Sequence, residues 1–373
     1  MINRLKKTLV KNLSNLPGWR TRRKIVVFEA DDWGSIRMPG KATYESLKKD
    51  GFDVDRNHFN RYDTLADRSD LAALFDVLDS VKDKNGKPAG FTAVSVVANP
   101  DFNKIKASGF TEYHYEPFTE TLKRYYPGQD VIGLWKQGIA VGLITPQFHG
   151  REHFSAHLWL KALQAGDKTV KALFDHDAIG LTTPMFKHLM SNYMAAYDYE
   201  ESQMPAHIET ATLQGLDLFE HIFGYRARHF TSTSMLHNNA IEGVLKKAGI
   251  DFIDKAKVNF EVLGGGKYKK EYHKLGRQNK HKQTYITRNC LFEPTQPGNT
   301  DWVASCLNEI KIAFRWGKPA IISSHRVNYV GGIDRLHRDK SLQELKRLLK
   351  EITQRWPEVE FLSVVELGDI INK

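Results

Sequence analysis

Two spacings of apolar residues alternate along this chain. Runs of β-prone residues at 25–28, 91–98, 139–144, 225–233, 250–253, 320–324 and 359–363 read as strands. Between them, stripes recurring every three or four residues predict helices at 40–50, 68–83, 115–125, 129–137, 155–175, 206–222, 238–248, 301–316 and 339–355. In the second of these, Leu71, Leu74, Phe75 and Leu78 share one face. Gly and Pro mark the joints, as in Asn85-Gly86-Lys87-Pro88 and Gly317-Lys318-Pro319. Strands alternating with helices pair in parallel and are covered on both faces, so the pattern predicts one barrel-like α/β domain over 24–373. Its helix at 155–175 would be an insertion, and 176–198 a loop rich in aromatics. The glycine run Gly264-Gly265-Gly266, with the basic stretch behind it, is expected to be a long loop. Upstream, Leu5, Leu9 and Leu13 predict a short basic amphipathic helix within 1–23, ended by Pro17-Gly18.

The chemistry gathers where strands end, which is where a barrel of this kind carries its site. The first strand runs into Glu29-Ala30-Asp31-Asp32-Trp33-Gly34. Carboxylates crowded at the mouth of a buried strand are costly to desolvate unless a positive charge compensates them, and a bound cation does so most strongly. His149-Gly150-Arg151-Glu152-His153 follows the apolar run 139–144, and histidines four apart face one way on a helical turn. Asp32, His149 and His153 would form a mixed oxygen and nitrogen metal site with open positions, as metal-dependent hydrolysis requires. Asp31 is then the expected base, and His325, after the strand at 320–324, the expected acid.

Composition narrows the classes. Of 373 residues, 41% are apolar and 26% charged, which excludes a disordered chain. No apolar run approaches the roughly 18 residues needed to span a bilayer. The basic N-terminus lacks the apolar core and cleavage site of a signal peptide, so a cytoplasmic location is expected. The net charge of +10 is spread out, with clusters in 1–24 and 267–288. No nucleic-acid-binding signature accompanies them, and no nucleic-acid partner is expected. A solvated basic face comes first, attraction to an anionic substrate second, with peripheral membrane association through the N-terminus beside it. Cys290 and Cys306 lack paired spacing and read as buried thiols.

The arrangement resembles the polysaccharide deacetylase family, also called the NodB-homology or carbohydrate esterase family 4 superfamily. Phe28-Glu29-Ala30-Asp31-Asp32-Trp33-Gly34 is similar to its first motif, in which the first Asp is the base and the second a metal ligand. Gly138 to Gly142 leading to His149 and His153 is similar to the second, and Ser323-Ser324-His325 to the last, whose histidine is the acid. The third motif centres on an arginine; the matching stretch, 224–233, has Thr231 at that place, and Arg226 or Arg228 would serve from a shifted position. Asp251 and Asp254 are candidates for the aspartate that tunes the acid. The resemblance implies a distorted (β/α) barrel with helical insertions, of the glycoside hydrolase and deacetylase type. It also implies a divalent metal, zinc first and cobalt, manganese or nickel as alternatives, and removal of an N-acetyl group from a carbohydrate. Trp33 and the shifted arginines would contact the sugar, which could be nucleotide- or lipid-linked.

Two other readings share the scaffold. A glycoside hydrolase would use paired carboxylates among Glu29, Asp31, Glu152 and Asp254. A non-catalytic member would bind glycans or a protein partner through the basic face.

Overall fold

The computed structural model describes residues 9–373. Its core is a curled sheet of parallel strands: β1 (Ile25–Trp33), β2 (Phe91–Val96), β3 (Ile144–Gly150), β4 (His229–Phe230), β5 (Phe252–Asp254), β6 (Thr284–Ile286), β7 (Cys290–Leu291), β8 (Ala320–His325) and β9 (Glu360–Phe361). Their hydrogen-bonded order is β6-β5-β4-β3-β2-β1-β8-β7, with β9 beside the start of β1. β6 and β7, at opposite ends of this order, are separated in the chain only by Thr287, Arg288 and Asn289. One bent stretch thus pairs with β5 at its start and with β8 at its end, and brings the sheet round on itself.

Alternation along the strands sorts inside from outside. Val26, Phe28 and Ala30 pack outward against helices α1 (Arg68–Asp79), α2 (Val131–Ala140), α4 (Trp302–Arg315) and α5 (Arg335–Arg355), while α3 (Ala206–Phe223) covers a second apolar cluster with Phe148 and Phe230. Ile25 and Val27 turn inward onto Phe252, Ile286 and Ile321. Val364 and Leu367 of the final helix, α6 (Val364–Ile371), close that apolar end. Above this layer the inward positions become polar.

Several elements differ from the sequence pattern for local reasons. The insertion at 155–175 is two helices, Ala156–Gln164 and Lys168–Asp175; Gly166, at φ +69°, breaks the run and Asp167 caps the second. Both pack in an apolar cluster with Phe102, Phe154 and Tyr193. Residues 139 and 140 finish α2 rather than begin a strand, because Ile139 continues its helical stripe, and β3 starts only at Ile144. The basic stretch after Gly264 begins as a hairpin rather than a loop: Val258–Gly264 and Lys267–Tyr272 pair antiparallel, Gly264, Gly265 and Gly266 supply the positive φ of the turn, and 273–283 is irregular as expected. Upstream, residues 9–14 are helical with Leu9 and Leu13 exposed, and Leu5 lies outside the described residues. No helix among the described residues is long and apolar enough to cross a membrane.

Candidate active site

The C-terminal ends of β1, β3 and β8 open into a cleft of about 800 Å³ lined by Asp31, Asp32, His149, His153 and His325, among others. Consecutive residues of a regular strand point to opposite faces, so Asp31 and Asp32 could not both reach it from an ideal β1. The register of β1 against β2 slips between Ala30 and Trp33, and Asp32 takes a left-handed backbone at φ 73°. This bulge turns both carboxylates to one side, at a conformational cost typical of functional positions. Asp31 and His325 are register partners across β1 and β8, with His325 Nε2 3.9 Å from Asp31 Oδ2.

Asp32 Oδ1 lies 2.8 Å from His153 Nε2 and 3.4 Å from His149 Nε2. The His149 Nδ1–H donates to the Thr231 carbonyl at 2.7 Å, which leaves the Nε2 lone pair facing Asp32. That Nε2 is buried and has no hydrogen-bond partner. His149 is held by β3, but His153 follows in irregular chain, so the pair converges from a strand end and a loop rather than from a helical turn. An orphaned, buried imidazole nitrogen with a second histidine and a carboxylate, all within 4.8 Å, fits a divalent cation with an N₂O donor set. Burial opposes the Asp32 charge, yet His153 above all outweighs it and holds the carboxyl well below its usual range.

Asp31 is gripped by Arg288, whose Nη1 donates to Oδ2 at 2.6 Å and Nη2 to Oδ1 at 2.8 Å. This guanidinium also donates to Asp254 from Nε at 3.0 Å and Nη2 at 2.7 Å, and lies 3.2 Å from Glu29. Burial disfavours its charge, but Asp31 and Asp254 raise its pKa well above the usual value. His325 Nδ1–H donates to buried Glu293 at 2.5 Å, and Asn328 holds the other Glu293 oxygen at 2.8 Å. Burial pushes the imidazolium pKa down, but the charge and hydrogen bond of Glu293 lift it to about 10. A bidentate arginine thus aims the Asp31 carboxylate, and a buried glutamate keeps the opposed histidine protonated.

No family model matches the chain, and no curated protein matches it in sequence. Among solved structures it is similar to the Puue allantoinase, at 12% identity and a TM-score of 0.47 over 94% of this chain and 91% of that one. It is similar to a probable polysaccharide deacetylase from Pseudomonas aeruginosa PAO1, at 10% identity and a TM-score of 0.45 over 93% and 91%. It is also similar to a GH57-type branching enzyme from the archaeon Pyrococcus horikoshii, at 9% identity and a TM-score of 0.43 over 94% and 70%.

The cleft does not receive every residue that the sequence suggested. Trp33 is buried edge-on against Trp135, at 5.7 Å between ring centroids, as part of the outer apolar layer. Arg228 precedes β4, at the opposite end of the strands, and pairs with Asp251 and Asp369; Arg226 is exposed beside Glu220. Asp254 faces Arg288 rather than His325, and Asp251 stays with Arg228 and Lys246. Glu152 is buried against Arg151, behind the histidine loop. An arginine from between β6 and β7 stands beside position 231: Arg288 Nη2 lies 3.4 Å from Thr231 Oγ1. Its sequence signal was the pair of short β-prone runs, 284–286 and 290–291, on either side of a lone arginine. Glu293 carried a weaker signal, an acidic residue just beyond the second run.

Proposed function

We propose that the protein is a divalent-metal-dependent hydrolase that removes an N-acetyl group from a carbohydrate. The observation that carries this reading is that two groups held by opposite charges, Asp31 by Arg288 and His325 by Glu293, face each other across the mouth of the Asp32, His149 and His153 cluster. Those three residues would hold the metal, zinc first on the chemistry of the donor set, with cobalt, manganese or nickel as alternatives. When bound, such a cation polarises an amide carbonyl and acidifies water. Asp31 accepts the proton of the attacking water as the new C–O bond forms, with Arg288 fixing its orientation. The His325 Nε2–H faces the same space and delivers a proton to the amide nitrogen as the C–N bond breaks, releasing acetate and a free amine. Of the carboxylates a glycosidase would need, Asp31 opens to the cleft, whereas Glu29 and Asp254 are wholly enclosed.

The test is metal content with acetate release. Wild type should carry close to one equivalent after loading, and Asp32→Asn and His149→Ala should lose it. His325→Asn should keep the metal and lose about 10²–10⁴-fold in kcat on an N-acetylhexosamine oligomer. A chain that stays metal-free in Zn²⁺, Co²⁺, Mn²⁺ and Ni²⁺ would sink the proposal.

A further inference from the structure

The walls of the cleft are unevenly charged. Asp31 and Asp32 are the carboxylates lining it among the described residues, and each has its own positive counterpart: Arg288 for Asp31, the cation position for Asp32. Facing them are Arg37, Arg56 and Lys187. Arg37 is the informative one, because its side chain is only 9% exposed. Its neighbouring carboxylate, Asp63, is already occupied by Arg326, which donates from Nε at 3.0 Å and Nη2 at 2.9 Å. What remains for Arg37 is a long 3.4 Å contact to Asp63, another, also 3.4 Å, to the Asn60 amide oxygen, and the face of the Phe59 ring at 5.2 Å. Two buried guanidinium groups thus share one carboxylate, which leaves one buried positive charge under-compensated at the cleft wall. Gly180, at φ +118°, leaves the space over that guanidinium open: a Cβ there would sit 3.0 Å from Arg37 Nη1. The Arg56 guanidinium donates to the Thr182 hydroxyl at 3.3 Å, and neither Arg56 nor Lys187 forms an ion pair among the described residues.

We infer that the substrate of this cleft carries an anionic group, a phosphate or carboxylate on the sugar, received by Arg37 with Arg56 and Lys187 at the rim. The inference rests on the hydrolase reading for where the acetamide goes, and adds the charge of the rest of the molecule. A planar guanidinium with free N–H groups suits an oxyanion, and exposed cations beside it steer and hold the same charge. Neutral sugar polymers would leave Arg37 with only its shared, 3.4 Å pairing to Asp63.

The experiment uses the metal-loaded full-length chain and three compounds: methyl N-acetylglucosaminide, its 6-phosphate and its 6-carboxylate. Acetate release should favour an anionic compound by about tenfold in kcat/KM, and the better of the two identifies the anion. The double variant Arg56→Gln, Lys187→Gln, in which only exposed side chains change, should raise KM for that compound about tenfold with kcat within about twofold. Lys346→Gln, on the outside of α5, is the charge control and should change nothing. Calorimetry with glucosamine and glucosamine 6-phosphate, which have no acetyl group to lose, separates the two ideas. Tighter binding of the phosphate, weakened in the double variant, supports the anion site even if no compound is deacetylated, and then only the hydrolase reading falls. Equal binding of the two amines, or equal kcat/KM for neutral and anionic acetamides, overturns the inference and leaves deacetylation standing.

Discussion

Four ionisable residues meet inside the barrel below Asp31, and how they share charge can be tested one residue at a time. Burial and the nearby negative charge of Asp254 raise the Glu29 carboxyl well above its usual range. Burial works the same way on Asp254, but Arg288 and His229 outweigh it and leave that group below its usual range. Arg288 decides the asymmetry, since it donates twice to Asp254 and stands further from Glu29. Of the two carboxyls, Glu29 is therefore the one that takes a proton more readily. Glu29→Gln mimics the protonated form and should change stability by less than about 1 kcal/mol at or below pH 4.5, whereas Asp254→Asn strips Arg288 of a buried partner and should cost about 3–5 kcal/mol. The raised Glu29 pKa gives stability that is complete below its unfolded value of 4.5 and is lost as pH rises. In urea unfolding, Glu29→Gln should thus gain on wild type between pH 5 and pH 8; a constant difference would mean that Glu29 is ionised. For His325, Glu293→Gln removes the charge that lifts the imidazolium. The alkaline limb of kcat/KM should then move down by about one to two pH units, because an opposite charge at contact is worth that much. A cation on Asp32 cancels part of that carboxylate's pull, so the wild-type limb itself should lie below about 10. At this scale Asp31, Asp32, His149, His153 and His325 were legible as residue types at strand ends. Arg288 and Glu293 were not, because a tuning partner is fixed by three-dimensional proximity and not by its own motif.

The element that assembles the site is the end of β1, where a register slip and a left-handed Asp32 aim two neighbouring carboxylates into one cleft. Gly34 makes this possible. Its φ is +78°, and a Cβ there would lie 2.3 Å from the Val96 carbonyl oxygen. Gly34→Ala should cost about 1–3 kcal/mol through that clash and lower metal content together with Tm. If the variant keeps full metal loading at wild-type Tm, the bulge does not depend on this close approach. Strands with plain apolar runs, such as β1, β2 and β8, were readable from the chain because burial on both faces dictates their composition. β4, β6 and β7 were overlooked or drawn too long. They have three residues or fewer, and what defines them is a neighbour's hydrogen-bonding edge rather than their own pattern.

At the scale of the whole molecule, the barrel is polar at one end and sealed at the other, and α6 makes the seal. Strands curled into a barrel leave inward side chains at the lower rim facing water unless something covers them. Here Ile25, Val27, Phe252 and Ile321 are covered by Val364 and Leu367, and Gly368 lets the helix press onto the Phe252 ring, where a Cβ would lie only 2.4 Å away. Polar straps reach three strands or their flanks. The Val364 N–H donates to Thr92 Oγ1 at 3.0 Å, Thr284 Oγ1 to Asn372 Oδ1 at 2.6 Å, and Arg228 Nη2 to Asp369 Oδ1 at 2.8 Å. Arg228, which looked from the sequence like a substrate contact, ties the seal to β4 instead. The barrel itself was foreseeable from alternating strand and helix, but the seal was not. The apolar residues of 364–371 could equally have extended the last strand, and only the open lower rim gives them a helical task. Leu367→Ala should therefore cost about 2–5 kcal/mol, as for a fully buried leucine. A chain cut after Leu362 should bind a hydrophobic dye and lose its single cooperative urea transition, because the inner faces of β1, β5 and β8 would meet water together. Retention of the full-length midpoint after that cut would mean that closure through Thr287, Arg288 and Asn289 alone holds the barrel, with α6 a passenger.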